Sequence, residues 1–190
     1  MPDLAPGYRY EEMSRADLQP LIEPLLPLVF AETGHLRAGY AYSDAEQAAL
    51  WQLEDNLAAR SVLAIGIFHG DTCVGWHVAN QVDRGNLEMT SSGILPEHRR
   101  RGLYRALIPV VLERARNEGF QAVVSRHNLT NNAVIIPKLK AGFVISGFDV
   151  SDRCGTLVGL SYLFNPLRRK VFDVRVGQRG LDDELKKLFW

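Results

Sequence analysis

The sequence has few cysteines, no excess of charge of either sign and no hydrophobic run long enough to cross a bilayer. Its two cysteines, Cys73 and Cys154, have no metal-binding spacing and are typical of a reducing compartment. Lys+Arg and Asp+Glu are both 22, and a net charge of +0 argues against a nucleic-acid-binding protein. No signal-peptide pattern opens the chain. We therefore expect a cytoplasmic protein without a metal, which binds neither nucleic acid nor a membrane.

Strand patterns dominate the middle of the chain and alternate with helix patterns after it. Short apolar runs separated by turn residues predict three antiparallel strands between residues 61 and 95. A helix with an internal Pro109 follows from Gly102 to Gly119, then a buried strand over 120–125. A second helix, capped by Thr130 and ended by Gly142, precedes two more strands over 143–164. This order predicts an α/β (α+β) fold, with a mixed central sheet of about seven strands and helices on both faces.

The two ends of the chain are less regular than its middle. Residues 8–13 predict a first strand, and Ser14 with Asp17 predicts a helix start. Three prolines then break the helical pattern that runs to about Thr33. A capping box at Ser43 predicts a further helix over 43–59. We expect one domain over residues 1–165 and a C-terminal extension over 166–190, packed on the domain or on a partner subunit.

Three consecutive arginines stand in the stretch GILPEHRRRGLYRAL, residues 93–107, between a predicted strand and a predicted helix. The N-terminus of a helix exposes unpaired N–H groups and the positive end of the helix dipole, so phosphates bind there readily. Gly102 allows the backbone to approach a ligand closely. The stretch lacks the Walker pattern and the three glycines of the Rossmann fingerprint. It is therefore a candidate anion-binding loop of another kind.

Two segments resemble motifs of the GCN5-related N-acetyltransferase (GNAT) superfamily. ILPEHRRRGLY resembles the pattern V-x-P-x-x-[RQ]-x-x-G-x-[GA], with Arg99 and Gly102 in the defining places. NNAVIIPKLKAGF resembles N-x-x-A-x-x-x-Y-x-K-x-G-F, with Asn131 and Lys140 in the Asn and Lys places. The order of elements agrees over roughly residues 8–165. The resemblance implies a GNAT-like acyltransferase fold and acetyl-CoA as co-substrate.

The resemblance also implies a binding mode for the cofactor. Its pantetheine arm would lie in a gap between the strand that precedes the arginines and the next parallel strand, held by backbone groups of Ile94 and Leu95. Backbone amides from Arg100 to Tyr104 would hold the pyrophosphate, and Asn131 would contact the cofactor from the other side. The cofactor-binding residues implied in this way are Ile94, Leu95, Arg99, Arg100, Arg101, Gly102, Leu103, Tyr104 and Asn131.

The sequence departs from the family pattern at two places. Tyr104 stands where the pattern has a small residue, and Lys138 stands where the family often has a tyrosine that protonates the departing thiolate. A lysine with its usual pKa near ~10.4 is a poor acid at neutral pH unless burial depresses that pKa. The alternatives are a water molecule as the acid, another residue such as Tyr162, or no acid at all. Glu88 is a candidate general base because it lies on the strand that enters the predicted site. His127 is another, because it follows the parallel strand at its C-terminal end, where ligands of such sheets bind.

The resemblance implies an N-acetyltransferase that moves an acetyl group from acetyl-CoA to a primary amine of a small molecule, peptide or protein by direct attack. The alternative is a catalytically weak acyl-CoA-binding module, which Lys138 and the neighbouring Pro137 suggest. The acceptor is not identified by the sequence. Apolar residues in the last segment, ELKKLFW, suggest a possible homodimer.

Overall fold

A mixed β-sheet runs through the computed structural model, which describes residues 3–31, 43, 60–152 and 154–187. Within these residues the sheet has eight strands in the order β1-β2-β3-β4-β5-β6-β8-β7. All neighbours are antiparallel except β5 and β6, which are parallel. The strands are β1 (Asp3–Ala5), β2 (Tyr8–Glu12), β3 (Val62–His69), β4 (Thr72–Gln81), β5 (Asn86–Ile94), β6 (Ala122–Asn128), β7 (Val144–Ser151) and β8 (Gly155–Leu163). The predicted mixed sheet is confirmed, with one more strand than the expected seven.

Helices cover both faces of this sheet, as the sequence predicted. They are α1 (Arg15–Ile22), α2 (Leu26–Val29), α3 (Leu103–Asn117), α4 (Asn132–Lys140), α5 (Pro166–Arg175) and α6 (Asp183–Lys186). Residues of α1 share a buried cluster with Ala64, Trp76 and Val78 on one face. Residues of α3 and α4 pack with the larger core on the other face, which includes Ile65 and Val123. None of the described helices is both long and apolar enough to span a membrane.

Local sequence signals account for most helix ends. The Ser14 hydroxyl accepts a hydrogen bond from the Asp17 N–H at 3.1 Å, which caps α1 as predicted. The prolines that follow divide the segment into α1 and the single turn α2. The predicted cap at Thr130 is wrong, because Asn131 occupies the N-cap position of α4. The Thr130 hydroxyl instead donates to Oδ1 of Asn128 at 2.8 Å. The helix predicted over 43–59 lies outside the described residues, apart from Ser43.

The segment after β8 contacts the rest of the chain. The Arg169 guanidinium donates to the carbonyl oxygen of Gly142 at 2.9 Å, which joins α5 to the end of α4. Leu185 of α6 is fully buried, and Lys170 forms an ion pair with Glu184 at 2.6 Å. The division of the chain into a domain over 1–165 and an extension over 166–190 stays a prediction.

Candidate functional site

The parallel pair β5 and β6 separates after three residue pairs. Asn86, Leu87 and Glu88 pair with Ala122, Val123 and Val124, and beyond them each strand pairs only with its other neighbour. A register shift on the β4 side of β5, between the pairs Ala79–Met89 and Val78–Ser91, accompanies the separation. The result is a gap between residues 89–94 of β5 and residues 125–128 of β6. This pairing agrees with the separation of strands that the sequence motifs imply.

Backbone groups of β5 point into this gap. The Leu95 N–H donates to the Val74 carbonyl of β4 at 2.9 Å, and N–H directions alternate along an antiparallel strand. The backbone groups of Ile94 and Ser92 therefore point away from β4, toward β6. Leu95 is differently placed, since its carbonyl also accepts from the His98 N–H at 2.9 Å. Both of its backbone groups are engaged within the protein, and its cofactor role stays a prediction.

The loop between β5 and α3 forms a concave backbone turn. Arg100 has a φ of 62° and Gly102 a φ of 79°, so both lie in the left-handed region. This region is costly for a residue with a side chain, and Arg100 adopts it beside the N-terminus of α3. The α3 N-cap has no side-chain hydrogen bond, and the first turn contains no acidic residue. An anion at these N–H groups would therefore compete neither with a capping side chain nor with a nearby carboxylate.

The side chains of this loop have distinct environments. The Arg99 guanidinium donates to the carbonyl oxygens of Ile94, at 2.9 Å, and Val29, at 2.7 Å. It therefore fastens α2 to the end of β5. Arg100 and Arg101 are exposed, and Arg101 lies over the ring of Tyr8, 6.0 Å from its centroid. From the sequence alone, Arg99 was expected to bind the cofactor in the same way as Arg100 and Arg101.

The first two residues of α3 turn their side chains away from solvent. Leu103 is 2% exposed and belongs to the main core, so only its backbone faces the loop. Tyr104 packs against the same core, and burial raises the pKa of its phenol, which keeps the hydroxyl protonated. On the neighbouring helix, the Asn131 side chain is exposed and makes no capping bond to α4.

Lys138 of α4 is the most unusual charged residue of the site. It is fully buried, and its Nζ has no hydrogen-bond partner among the described residues. Its Nζ lies over the face of the Phe143 ring, 5.0 Å from the ring centroid. Burial lowers the pKa of Lys138 to about 7, and the opposite charge of Glu88 only partly offsets this effect. The amine is therefore able to release a proton near neutral pH.

Two histidines share the electrostatic environment of Lys138. Burial, with a smaller effect from the Lys138 charge, lowers the pKa of His127 and of His77 to about 3. Nε2 of His127 lies 3.0 Å from the Ser125 hydroxyl on the same strand. Both imidazoles are neutral at physiological pH and His127 is a weak base. The sequence indicates only a structural role for His77, because a single histidine in an apolar strand has no local partner pattern.

Glu88 lies on the opposite face of the sheet, in an ion-pair cluster. Its two carboxylate oxygens accept from Arg126, at 2.9 and 3.3 Å, and Arg126 also contacts Asp149 at 3.4 Å. These carboxylates raise the pKa of the guanidinium. The Glu88 side chain is 12% exposed and lines a groove of about 440 Å³ on this face, together with residues of β6, β7 and β8. The described residues contain no group of three or more side chains suited to a metal ion.

Solved structures of acetyltransferases share this architecture at low sequence identity. The ribosomal-protein-S18-alanine N-acetyltransferase of Escherichia coli is 15% identical, with a TM-score of 0.58 over 83% of this chain and 94% of that chain. The ribosomal-protein-alanine N-acetyltransferase of Brucella melitensis is 18% identical, with a TM-score of 0.60 over 82% and 99%. A GNAT family acetyltransferase of Elizabethkingia anophelis with acetyl-CoA bound is 12% identical, with a TM-score of 0.58 over 83% and 99%. These similarities show the fold.

The sequence itself carries the family assignment. No curated protein matches the chain significantly. The model of the acetyltransferase (GNAT) family matches residues 30–143, which is more than half of the chain and includes β3 to α4 with the gap and the loop. The chain therefore belongs to the acetyltransferase (GNAT) family and is an acyltransferase.

Proposed function

We propose that this protein transfers an acetyl group from acetyl-CoA to a primary amine of a small molecule, peptide or protein. The observation that supports this most directly is the continuity of the gap between β5 and β6 with the loop at the N-terminus of α3. A strand that leads from an open gap into a helix N-terminus suits a ligand with a narrow arm and a diphosphate. The acetyl-CoA bound to the Elizabethkingia anophelis relative supports the same choice.

The loop residues would hold the diphosphate through backbone and charge. The free N–H groups from Arg100 to Tyr104 would donate to its oxygens, and the exposed guanidinium groups of Arg100 and Arg101 would neutralise it. Asn131 would approach the cofactor from α4, because its amide is not used as a helix cap. Arg99 would act indirectly, by fixing the carbonyl of Ile94 at the end of β5.

The gap would place the thioester between a donor and an acid. The backbone N–H groups of Ile94 and Ser92 point into the gap, where one of them would donate to the oxygen that gains charge as the amine attacks. The Lys138 ammonium would give a proton to the departing sulfur. With a pKa of about 7, this group is a far better acid at neutral pH than an ordinary lysine.

The acceptor amine would approach from the face that carries Glu88. It must lose a proton, directly or through a water molecule, before or during the attack. Of the two candidate bases, Glu88 is preferred, because it borders the groove while His127 has a pKa of about 3. The base role of Glu88 requires that the amine or a water molecule share its carboxylate with Arg126.

The first test is thermal unfolding with acetyl-CoA or CoA, followed by an assay of free CoA release with a panel of amines. A ligand at ~100 times its Kd adds roughly 2.7 kcal/mol of stability, which raises the Tm of a domain of this size by about 5 to 10 °C. A shift together with CoA release above background would support the proposal. A shift without release from any amine would indicate an acyl-CoA-binding module. No shift at millimolar ligand would contradict the binding site.

A further inference from the structure

Two buried side-chain nitrogens near the gap have no hydrogen-bond partner among the described residues. They are Nζ of Lys138 and Nε2 of His77, and both residues are 0% exposed. Most buried polar atoms in folded proteins have a partner, and a buried polar atom without one destabilises the folded state. The two atoms come from different elements, α4 and β4, and each is a buried polar atom that the described residues leave without a partner.

The orientation of His77 follows from its neighbours on β4. Trp76 and Val78 face the α1 side of the sheet, so the side chain of His77 points to the α3 and α4 side. Its Nδ1 lies 2.8 Å from the Ser92 hydroxyl on β5, which fixes the ring plane. Nε2 is the remaining nitrogen, and it is directed into the same buried layer that contains Lys138.

The charge of Lys138 interacts with titratable groups on three strands. His77 of β4 and His127 of β6 each sense its charge, and Glu88 of β5 opposes the effect of burial on its pKa. Glu88 is already bonded through both carboxylate oxygens to Arg126, and Nε2 of His127 is bonded to Ser125. His77 is therefore the group of the three that has a buried nitrogen still available as an acceptor.

We propose that His77 is a positioning residue for Lys138, and that its Nε2 accepts a hydrogen bond from the Lys138 ammonium through one buried water molecule. The Ser92 hydroxyl oxygen holds the ring in the orientation that this requires, by accepting a hydrogen bond from the Nδ1–H group. A water molecule at such a site has at least two polar partners, as buried waters usually do. The ammonium is thereby held in one rotamer at the gap.

The catalytic consequence rests on the proposed function of Lys138 as the acid. An acceptor that binds the ammonium favours the charged form, so His77 counteracts part of the effect of burial. Without it, Lys138 would lose its proton at a lower pH, and less of the enzyme would carry the acid at neutral pH. His77 contributes this effect without contacting the reacting atoms.

The test is a titration of Lys138 by NMR in protein labelled with ¹³C at lysine Cε, with its signal assigned by its loss in Lys138→Met. Two variants distinguish the role of Nε2 of His77 from that of Nδ1. In His77→Gln the amide reaches the position of Nε2, whereas in His77→Asn it reaches only that of Nδ1 and keeps the contact with Ser92. The Tm of each variant is measured alongside, so that packing changes are recorded separately.

We expect the Lys138 pKa in His77→Asn to fall by about one unit below the wild type, because a hydrogen bond to a charged group is worth about 1.5–3 kcal/mol. His77→Gln should titrate within a few tenths of a unit of the wild type. Equal Lys138 titrations in the wild type and His77→Asn would overturn the proposal. If His77→Asn does not fold, Ser92→Ala replaces it, and a shift in the same direction is required.

The pH profile of kcat supplies a second readout in the active enzyme. The alkaline limb, where the acid loses its proton, should move to lower pH in His77→Asn by the same amount as the Lys138 pKa measured by NMR. In His77→Gln the limb should lie at the wild-type pH. A purely structural role would lower kcat at every pH without moving the limb. The NMR titration needs neither acetyl-CoA nor turnover, so it decides the role of His77 even if the proposed function fails.

Discussion

Arg126 forms a bidentate ion pair with Glu88, in which Nε and Nη2 donate to the two carboxylate oxygens at 2.9 and 3.3 Å. Arg126 is on β6 and Glu88 on β5, and Glu88 belongs to the last residue pair before the two strands separate. The ion pair therefore spans the narrow end of the gap. It fixes the side chain that we propose as the base, and places a positive charge next to it.

Glu88→Gln should remove the acidic limb of the pH profile of kcat/KM, and lower its plateau by about 10²-fold or more. A carboxylate acts as a base only when ionised, so wild-type activity falls as the pH drops, whereas an amide does not titrate. The matched control is Asp149→Asn, which removes only the longer contact with Arg126, at 3.4 Å. A wild-type pH profile in Glu88→Gln would exclude Glu88 as the base.

Gly102→Glu should abolish binding of CoA. It places bulk and negative charge at the loop that we propose for the diphosphate, and its φ of 79° adds a strain of roughly 1–2 kcal/mol. Gly119→Glu is a close control, since Gly119 has a φ of 87° and an added Cβ meets nothing within 4 Å at either glycine. Calorimetric titration with CoA should show binding to Gly119→Glu only. Equal affinities would refute the loop assignment.

Lys138→Met should stabilise the protein at and below neutral pH by a few kcal/mol, because it removes an amine that loses its hydration when the protein folds. The folded-state pKa of Lys138 is about 7, below its ordinary value of 10.5. Below pH 7 the charged amine costs the folded state its full penalty. Between pH 7 and 10.5 the unfolded state binds more protons, so wild-type stability rises with pH and the advantage of the variant disappears.

Urea unfolding of both proteins at several pH values between 6 and 10.5 measures this difference. Lys140→Met, which removes an exposed amine from the end of the same helix, is the control and should change stability little at any pH. An advantage of Lys138→Met that stays constant up to pH 10.5 would show that the amine has an ordinary pKa in the folded protein.

Arg99 and Arg100 should have opposite phenotypes although they are adjacent. Arg99→Gln breaks the hydrogen bonds to Ile94 and Val29 and should lower the free energy of unfolding by about 1–2 kcal/mol. Arg100→Gln should leave the Tm near that of the wild type, weaken CoA binding several-fold and flatten its dependence on salt. Thermal unfolding and calorimetric titration at two salt concentrations distinguish them. If CoA binding lost its salt dependence in Arg99→Gln but not in Arg100→Gln, Arg99 would be the residue that binds the diphosphate and the assignment would be wrong.

Much of the fold could be predicted because its signals are local. The apolar runs and turn residues marked β3, β4 and β5, and the helical spacing after Gly102 marked α3. Three-residue β1 has too few positions to show a pattern, and it forms by pairing with β2. Helix α5 lies in the segment that the sequence predicted only as an extension; Leu167, Val171 and Val174 have helical spacing, but a run of three basic residues interrupts the apolar pattern. Asn165, which caps this helix, is also a common turn residue.

The sequence motifs point to the same loop and strands that form the candidate site, but they do not predict the electrostatics around it. Each of the two motifs spans a short segment of sequence, so the loop and the lysine at position 138, where the family often has a tyrosine, could be recognised from it. The depressed pKa of Lys138 depends on burial against other elements, and the acceptor proposed for it comes from β4. The distinct use of Arg99 likewise depends on Val29, which the fold brings to it from α2. Contacts between distant segments leave no signature in a single sequence.

Only three residue pairs join β5 to β6, fewer than join any other neighbouring strands except β1 and β2. Strands β1 to β5 form one antiparallel unit, and β6, β7 and β8 form another. A ligand in the gap would hydrogen-bond to both units and so connect them where the two strands do not pair. Amide hydrogen exchange in β6 and β8 should therefore slow when acetyl-CoA binds, because the two units would then open together rather than separately.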